Sequence, residues 1–224
     1  MKRPELTPPG LTVAIVDDDE AVRDALSALF QAEGYPVATY ASAIGFLDAG
    51  GDGVPGCVIA DINMPGMTGL ELQAELARRG CPLPMIILTG QGDVPKAVTA
   101  LKAGAVDFIE KPFAVDALVH AVETAMDRSG HTLRHRAESQ AAQGRLNSLS
   151  TREREVMDLL VAGHPNKVIA WKLGISARTV ENHRARIMEK TGCANVPALI
   201  HLSLAAPQAV SQAARVSGAA DSRQ

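Results

Sequence analysis

Several polar side chains capable of phosphoryl chemistry lie within two residues of the end of a short aliphatic run in the first half of the chain: Asp17, Asp18, Asp61, Thr89 and Lys111. Carboxylates held close together raise one another's pKa values, so a cluster of them needs a cation. Lys111 supplies one positive charge. Mg²⁺, which prefers oxygen ligands and keeps several waters, is the candidate for further charge. An aspartate beside such cations, with a hydroxyl nearby, is a candidate nucleophile for a phosphoryl group.

The elements that must position these residues follow a strand–helix alternation that is repeated five times. Aliphatic runs typical of strands buried on both faces occupy 11–16, 37–40, 57–60, 84–88 and 106–109. Helical periodicity occupies 21–33, 42–47, 69–79, 94–102 and 115–127. This order predicts an α/β fold with a doubly wound, five-stranded parallel sheet, for which the flavodoxin-like strand order 2-1-3-4-5 is one of few right-handed topologies. The polar residues would then meet at the carboxyl edge of the sheet. The Lys111-Pro112 peptide is a candidate for the cis form, which is accessible before proline.

Residues 11–127 resemble the receiver domain of two-component response regulators, and four stretches carry the resemblance: Val16-Asp17-Asp18, Asp61-Ile62-Asn63-Met64-Pro65-Gly66-Met67-Thr68-Gly69, Thr89-Gly90 and Lys111-Pro112-Phe113. The resemblance implies that Asp61 accepts a phosphoryl group from a sensor histidine kinase. It implies a Mg²⁺ site made by Asp17, Asp18, Asp61 and the backbone carbonyl of Asn63. It also implies that Thr89 and Lys111 bind phosphoryl oxygens, and that Phe108 is the switching aromatic. Asp19 is then expected to be a solvated acid at the start of the first helix.

The second half differs from the first in both charge and pattern. Residues 1–127 hold 8 Lys and Arg against 18 Asp and Glu, whereas residues 145–204 hold 9 against 5. Four helices are predicted, at 151–162, 166–173, 177–191 and 195–204, which makes this an all-α domain. The helix at 166–173, the turn at Gly174 and the helix at 177–191 have a helix-turn-helix layout. A basic module of this kind favours nucleic acid, although the charges alone also suit a solvated amphipathic helix.

Residues 149–204 resemble the DNA-binding domain of the LuxR/FixJ family of transcription factors. The matching residues include Thr151-Arg152-Glu153-Arg154-Glu155-Val156, Asn166-Lys167, Leu173-Gly174-Ile175-Ser176 and Thr179-Val180. The resemblance implies that the helix at 177–191 enters the major groove, where it turns four side chains toward the bases: Glu181, Asn182, Ala185 and Arg186. It implies phosphate contacts by five others: Asn166, Lys167, Arg178, Thr179 and Lys190. Ala185 has no hydrogen-bonding group and offers the bases only a methyl. His183 is expected to pack, not to bind a ligand.

These features predict four segments: a receiver at 1–127, a linker at 128–147, a DNA-binding domain at 148–204, and a disordered tail at 205–224. The linker is expected to begin with a helix break at Arg128-Ser129-Gly130 and can be partly helical beyond it. The predicted protein is a two-component response regulator and not an enzyme. Phosphorylation would draw Thr89 inward with Phe108 and create a homodimer surface near Val98, Leu101, Lys102, Asp107 and Glu110. Double-stranded promoter DNA, the kinase and RNA polymerase are the candidate partners. With no secretory signal and no apolar run long enough for a membrane span, a cytoplasmic location is expected.

Two other functions fit parts of the sequence. An aspartate-based phosphohydrolase usually carries a second acid two residues after its nucleophile, and this chain has Asn63 at that position. A receiver that never takes up phosphate could act as a binding module, although the complete set of acidic residues argues against it.

Overall fold

The computed structural model describes residues 10–54, 56–81, 83–90, 101–102 and 104–206. The chain divides between Arg134 and His135 into two compact units. None of the helices in the described part of the chain combines the length and apolar character that a membrane span requires.

The first unit is built on a five-stranded parallel sheet with the strand order β2-β1-β3-β4-β5. Its strands are β1 Thr12–Val16, β2 Val37–Tyr40, β3 Gly56–Asp61, β4 Met85–Thr89 and β5 Asp107–Glu110. The helices described around it are α1 Glu20–Ala32, α2 Ala43–Asp48, α3 Gly69–Arg78 and α4 Val115–Asn147, with a 3₁₀ turn at Gly51–Gly53. The predicted flavodoxin-like fold is confirmed. The helix predicted at 94–102 lies mostly outside the described residues.

Successive residues of the central strands point into two different hydrophobic cores, which explains why the strands are continuous aliphatic runs. Val13 and Ile15 of β1 pack on the side of α1 and α4 with Phe30 and Leu118. Ala14 and Val16 of the same strand pack on the side of α2 and α3. Burying a Val, Leu or Ile side chain contributes about 1.5–3 kcal/mol, so a sheet covered on both faces is stabilised by nearly every strand residue.

Polar side chains begin the helices that follow the strands. The Asp19 carboxylate accepts a hydrogen bond from the Ala21 amide at 2.9 Å and caps α1. Ser42 caps α2, as its type and position predict. Thr68 and Glu71 form a reciprocal capping box at the start of α3. Asp19 is thus exposed at the start of α1, as expected, and caps this helix.

The predicted helix break at 128–130 is wrong, because α4 continues from Val115 to Asn147. Ser129 and Gly130 are both buried within it. Glycine in a helix interior costs about 1 kcal/mol relative to alanine, a penalty that burial of the surrounding helix exceeds. The stretch predicted as a linker is therefore helical, and Ala142 and Leu146 near its end belong to the core of the second unit.

The second unit contains α5 Thr151–Val161, α6 Asn166–Leu173, α7 Ala177–Thr191 and α8 Val196–Ala205, as predicted for an all-α domain. The turn between α6 and α7 passes through Gly174, whose φ of 65° is in the left-handed region that glycine adopts without strain. Ser176 then caps α7. The tail prediction is wrong for its first two residues, since Ala205 ends α8 and Ala206 is buried in the core. Residues 207–224 lie outside the described part of the chain.

Candidate functional site

Lys111 joins two carboxylates at the carboxyl edge of the sheet. Its Nζ atom lies 2.6 Å from Oδ1 of Asp61 and 2.9 Å from Oδ2 of Asp17. Asp61 is the last residue of β3, and Asp17 follows the last residue of β1. The Lys111-Pro112 peptide is cis. The sheet thus brings together three of the residues that the sequence singled out, although they lie far apart along the chain.

The loop after β3 holds the second oxygen of the Asp61 carboxylate. The backbone amide of Asn63 donates a hydrogen bond to Asp61 Oδ2 at 2.7 Å. Gly69 packs so closely behind this loop that a Cβ atom on it would lie 2.4 Å from the Asp61 carbonyl oxygen. Only glycine fits there without moving the backbone. Both carboxylate oxygens of Asp61 are therefore oriented, one by a cation and one by the main chain.

Asp17 is held by its own loop and by an arginine that the sequence did not single out. The Asp19 amide donates to Asp17 Oδ1 at 2.9 Å, and Arg23 Nη1 donates to the Asp17 carbonyl oxygen at 2.7 Å. Asp17 is buried, while Asp18 beside it is exposed. Arg23 reaches back from the first turns of α1. Its proximity to the acidic pair in sequence was the only available signal of this role.

The charge on Lys111 is maintained by its two partners. Burial disfavours the ammonium, but the hydrogen bonds to Asp61 and Asp17 outweigh it and raise the pKa of Lys111 above its ordinary value. Lys111 therefore stays cationic and offsets part of the negative charge that the acidic cluster places at this edge of the sheet.

The carboxylates present here have the donor chemistry that Mg²⁺ requires, although no described group of three or more His, Cys, Asp or Glu side chains is arranged around a common metal position. Lys111 lies against both Asp17 and Asp61. A protein site for Mg²⁺ uses hard oxygen ligands and commonly only one or two carboxylates, with waters completing the octahedron. Asp17 and Asp61, with the exposed Asp18 next to them, fit that description.

Thr89 and Phe108 lie on the two strands beyond Asp61. Thr89, at the end of β4, is buried, and its hydroxyl donates to the Gly90 carbonyl oxygen at 3.1 Å. Its own carbonyl oxygen accepts from the Lys111 amide at 2.6 Å, which links it to the lysine that contacts Asp61. Phe108 is opposite Ile87 in the β4–β5 pairing and packs, half-buried, against the core on the side of α2 and α3.

In the second unit, α7 presents a polar surface opposite its buried side. Val180 and Ile187 are buried in the core, as predicted. The exposed side chains of α7 include Arg178, Glu181, Asn182, Ala185 and Arg186. All four predicted base-contacting residues are among them. His183 is half-buried on the core side, and its Nδ1 atom is buried with no hydrogen-bond partner among the described residues.

Three of the predicted phosphate-contacting residues already have partners within the unit. Asn166 accepts a hydrogen bond from Arg184 at 2.7 Å, which joins α6 to α7. Thr179 shares a hydrogen bond with Ser176, the cap of α7, at 2.8 Å. Lys190 lies 2.7 Å from the buried Glu153 on α5. Lys167 and Arg178 are exposed.

The start of α5 connects three other helix ends, a role that the sequence did not reveal. Arg152 donates to the Leu173 carbonyl at the end of α6, and Arg154 donates to the Leu146 carbonyl near the end of α4 at 2.6 Å. Glu153 holds Lys190 near the end of α7 and also completes the capping box with Ser150. The hydrogen bonds that Glu153 accepts from Lys190 and from the Ser150 amide lower its pKa to about 2, and Lys190 is the main cause. The alternation of charges in this segment was the only hint in the sequence.

Comparisons with known proteins match both units. Residues 13–123 match the response regulator receiver domain family, and residues 147–203 match the LuxR family of bacterial regulatory proteins. The transcriptional regulatory protein FixJ of Azorhizobium caulinodans is 45% identical over 89% of this chain and 94% of its own length. The chain belongs to the FixJ family of two-component response regulators.

Solved structures agree with this membership of the FixJ family. The response regulator StyR has a TM-score of 0.79 and 37% identity, covering 87% of this chain and 98% of that protein. Full-length FixJ from B. japonicum has a TM-score of 0.54 and 41% identity, covering 89% of this chain and 98% of that protein. The predicted family and the predicted general function, a response regulator that controls transcription, are thereby confirmed. Members of the family are DNA-binding regulators, and their architecture implies a kinase and DNA as partners.

Proposed function

We propose that Asp61 takes up a phosphoryl group from a sensor histidine kinase, and that this modification controls dimerisation and binding of promoter DNA. The observation that carries the proposal is the arrangement of the Asp61 carboxylate. One oxygen lies 2.6 Å from the Lys111 ammonium and the other accepts from the Asn63 amide at 2.7 Å. A carboxylate oriented in this way at the carboxyl edge of the sheet is placed for in-line attack on phosphorus.

In the proposed reaction, an Asp61 oxygen attacks the phosphorus of a phosphohistidine. The new bond is an acyl phosphate O–P bond, and the P–N bond to the imidazole breaks with its electron pair leaving on nitrogen. Lys111 remains charged throughout and holds a phosphoryl oxygen. Asp17, Asp18, Asp61 and the Asn63 carbonyl would hold Mg²⁺, which supplies charge neutralisation when bound. Arg23 and the Asp19 amide keep Asp17 oriented for this role.

The signal would pass from Asp61 through Thr89 and Phe108. A phosphoryl oxygen near the end of β4 competes for the Thr89 hydroxyl, which donates to Gly90 in the present state. Movement of Thr89 opens space that Phe108, half-buried one strand further on, can occupy. The described residues of the predicted dimer surface (Leu101, Lys102, Asp107 and Glu110) are all exposed, and Val98 lies outside the described residues. Moving the population from about 1% to about 99% active requires about 5.5 kcal/mol of preference for the active form.

For DNA binding, we place α7 in the major groove, with Glu181, Asn182, Ala185 and Arg186 toward the bases. Asn166, Lys167, Arg178, Thr179 and Lys190 would position the unit on the phosphates. Lys190 reaches a phosphate only if it gives up or shares its contact with Glu153, so we expect it to contribute less than Lys167. A dimer doubles these contacts and matches a two-fold DNA site. RNA polymerase is the further partner proposed for transcriptional control.

The phosphoacceptor proposal is tested by incubating the protein with a small phosphodonor and Mg²⁺ and measuring its intact mass. We expect the wild type to gain one phosphoryl group and Asp61→Asn to gain none. Asp48→Asn removes an exposed carboxylate from α2 and should behave like the wild type. No gain in the wild type, or a gain that persists in Asp61→Asn, would refute the proposal.

Two further measurements on the same samples, phosphate release and DNA binding, separate the two alternative functions. A phosphohydrolase would release phosphate from the donor continuously, whereas the proposed regulator accumulates one stable phosphoryl group. Asn63→Asp introduces an acid two residues after the nucleophile and should shorten the lifetime of the phosphorylated form. A binding module independent of phosphate would bind DNA equally well as Asp61→Asn and as the phosphodonor-treated wild type.

The DNA proposal is tested by titrating the second unit, residues 135–206, with duplex DNA at several salt concentrations. Phosphate contacts release counterions, so log K should fall linearly with log salt. Lys167→Ala should lower the slope by about one. A flat plot would exclude the phosphate contacts.

A further inference from the structure

We propose that Trp171 packs against the sugar–phosphate backbone of bound DNA and so acts as a positioning residue beside Lys167. This inference rests on the proposed DNA-binding function and extends it to a side chain that the predicted set of contacts does not include.

Trp171 is the only tryptophan in the chain, and it is 82% exposed on α6. The neighbouring Ile169 and Ala170 form the buried side of the same helix. Tryptophan carries a large apolar surface and one N–H donor, and it is enriched where protein surfaces meet partners. The core of this unit contains Ile169 and Ala170 but not Trp171. The exposed indole therefore does not contribute to the packing of the core.

The charges around Trp171 favour a polyanionic partner. Lys167 precedes it by four residues and therefore lies on the same face of α6, one helical turn away. Lys172 follows it directly and is exposed, with its Nζ atom 2.9 Å from Nε2 of His164. Residues Asn166–Leu173 contain no acidic residue. The exposed indole is thus flanked by two cations and no carboxylate on its own helix.

The helix-turn-helix geometry brings this face next to a DNA strand. In such motifs the first helix crosses the backbone while the second lies in the major groove. If Lys167 at the start of α6 contacts a phosphate, Trp171 lies about 5.4 Å further along the same face. There the indole face can cover the carbons of a deoxyribose and Nε1–H can donate to a phosphate oxygen. Such a contact stabilises binding without reading sequence.

The single tryptophan makes the test specific to this contact. The full chain, treated with a phosphodonor and Mg²⁺, is titrated at low salt with a mixed-sequence duplex of about 30 base pairs, which offers backbone contacts at every register. We expect Trp171 emission to shift and its quenching by acrylamide to fall as the duplex binds. Trp171→Phe serves as the control that removes this emission and should retain affinity within about threefold, because a phenyl ring still covers the sugar.

Trp171→Ala should weaken binding about tenfold at every salt concentration and leave the slope of log K against log salt unchanged, because the lost contact is not ionic. Lys167→Ala should instead lower the slope by about one. An unchanged urea midpoint for Trp171→Ala would show that the effect is not a folding defect, as expected for an exposed side chain.

Three results would overturn the inference. The first is binding of the duplex with unchanged Trp171 emission and unchanged affinity of Trp171→Ala, which would leave the proposed DNA-binding function intact. The second is an emission change that appears only when RNA polymerase is added, which would assign this surface to a protein partner. The third is the absence of any duplex binding at low salt, which would refute the DNA-binding proposal itself.

Discussion

Replacing Leu146 with alanine should destabilise the DNA-binding unit, because the end of α4 is part of its core. Leu146 is 6% exposed and packs in one cluster with Leu149, Val156 and Ile169. Leucine-to-alanine changes in cores cost about 2–5 kcal/mol. Leu146 is the residue before the end of α4, where the neighbours can relax, so we expect about 2–3 kcal/mol. A unit of about 70 residues has only about 4–10 kcal/mol of stability, so this is a large fraction.

The assay is urea unfolding of residues 135–206, followed by far-ultraviolet circular dichroism. In thermal unfolding of the same fragment, a loss of about 2–3 kcal/mol should lower the Tm by about 8–24 °C. Leu204→Ala is the matched control, because Leu204 is 68% exposed on α8 of the same unit. Its free energy of unfolding should change by less than about 0.5 kcal/mol.

Truncation provides the result that would refute this reasoning. A fragment of residues 148–206 lacks Ala142 and Leu146, and it also lacks the Leu146 carbonyl to which Arg154 donates. We expect it to unfold at lower urea than residues 135–206. If both fragments have the same free energy of unfolding, and Leu146→Ala has no effect, residues 135–147 are a linker and not part of the unit.

Three further predictions concern substitution or modification of single residues. Because the pKa of Glu153 is lowered from 4.5 to about 2 by Lys190 and the Ser150 amide, its ionisation contributes stability that is fully present above about pH 4.5 and is lost as pH falls toward 2. The stability gap between the wild type and Glu153→Gln in urea should therefore shrink over that range, and a constant gap would contradict this. Burial raises the pKa of the Cys57 thiol to about 12, so a thiol reagent near neutral pH should leave Cys57 unmodified in the native protein and label it only after denaturation. Rapid labelling of native Cys57 would show that the strand is accessible. Gly69→Ala places a Cβ against the Asp61 carbonyl oxygen and should cost about 1–3 kcal/mol and slow phosphoryl uptake. Gly144→Ala, in an open helical position of α4, should instead stabilise by about 0.4–1 kcal/mol in the same urea assay. Equal effects of the two glycine variants would contradict the packing behind Asp61.

The order of the elements and the clustering of Asp17, Asp61 and Lys111 were predictable from the sequence. Strands buried on both faces appear as short aliphatic runs, and each run here ends within one residue of the end of its strand. Because parallel strands finish at one edge of the sheet, Asp17, Asp61 and Lys111 could be placed together without knowledge of any distance. Asp19 could also be assigned to the helix start, because its position allows capping of α1.

The length of α4 could not be predicted, because its second half has weak helical patterning. Residues 128–147 are polar and contain Gly130 and Gly144, which are typical of a linker. What makes the segment helical is burial of a few positions such as Ala142 and Leu146 in a core built from residues far along the chain. Local propensity does not contain that information.

The sequence by itself determined the chemistry available to this protein: which strand ends carry carboxylates, which carries the lysine, and which helix carries the polar side chains that we propose to face DNA. Those features depend on residue types and their spacing along the chain, so the sequence is sufficient to predict them. Only the tertiary structure decided how the charges are paired. Lys111 bridges Asp17 and Asp61, Arg23 holds the Asp17 carbonyl, and Glu153 holds Lys190. A charge pairs with whichever opposite charge the packed core brings within about 3 Å, and that distance is set by the whole fold.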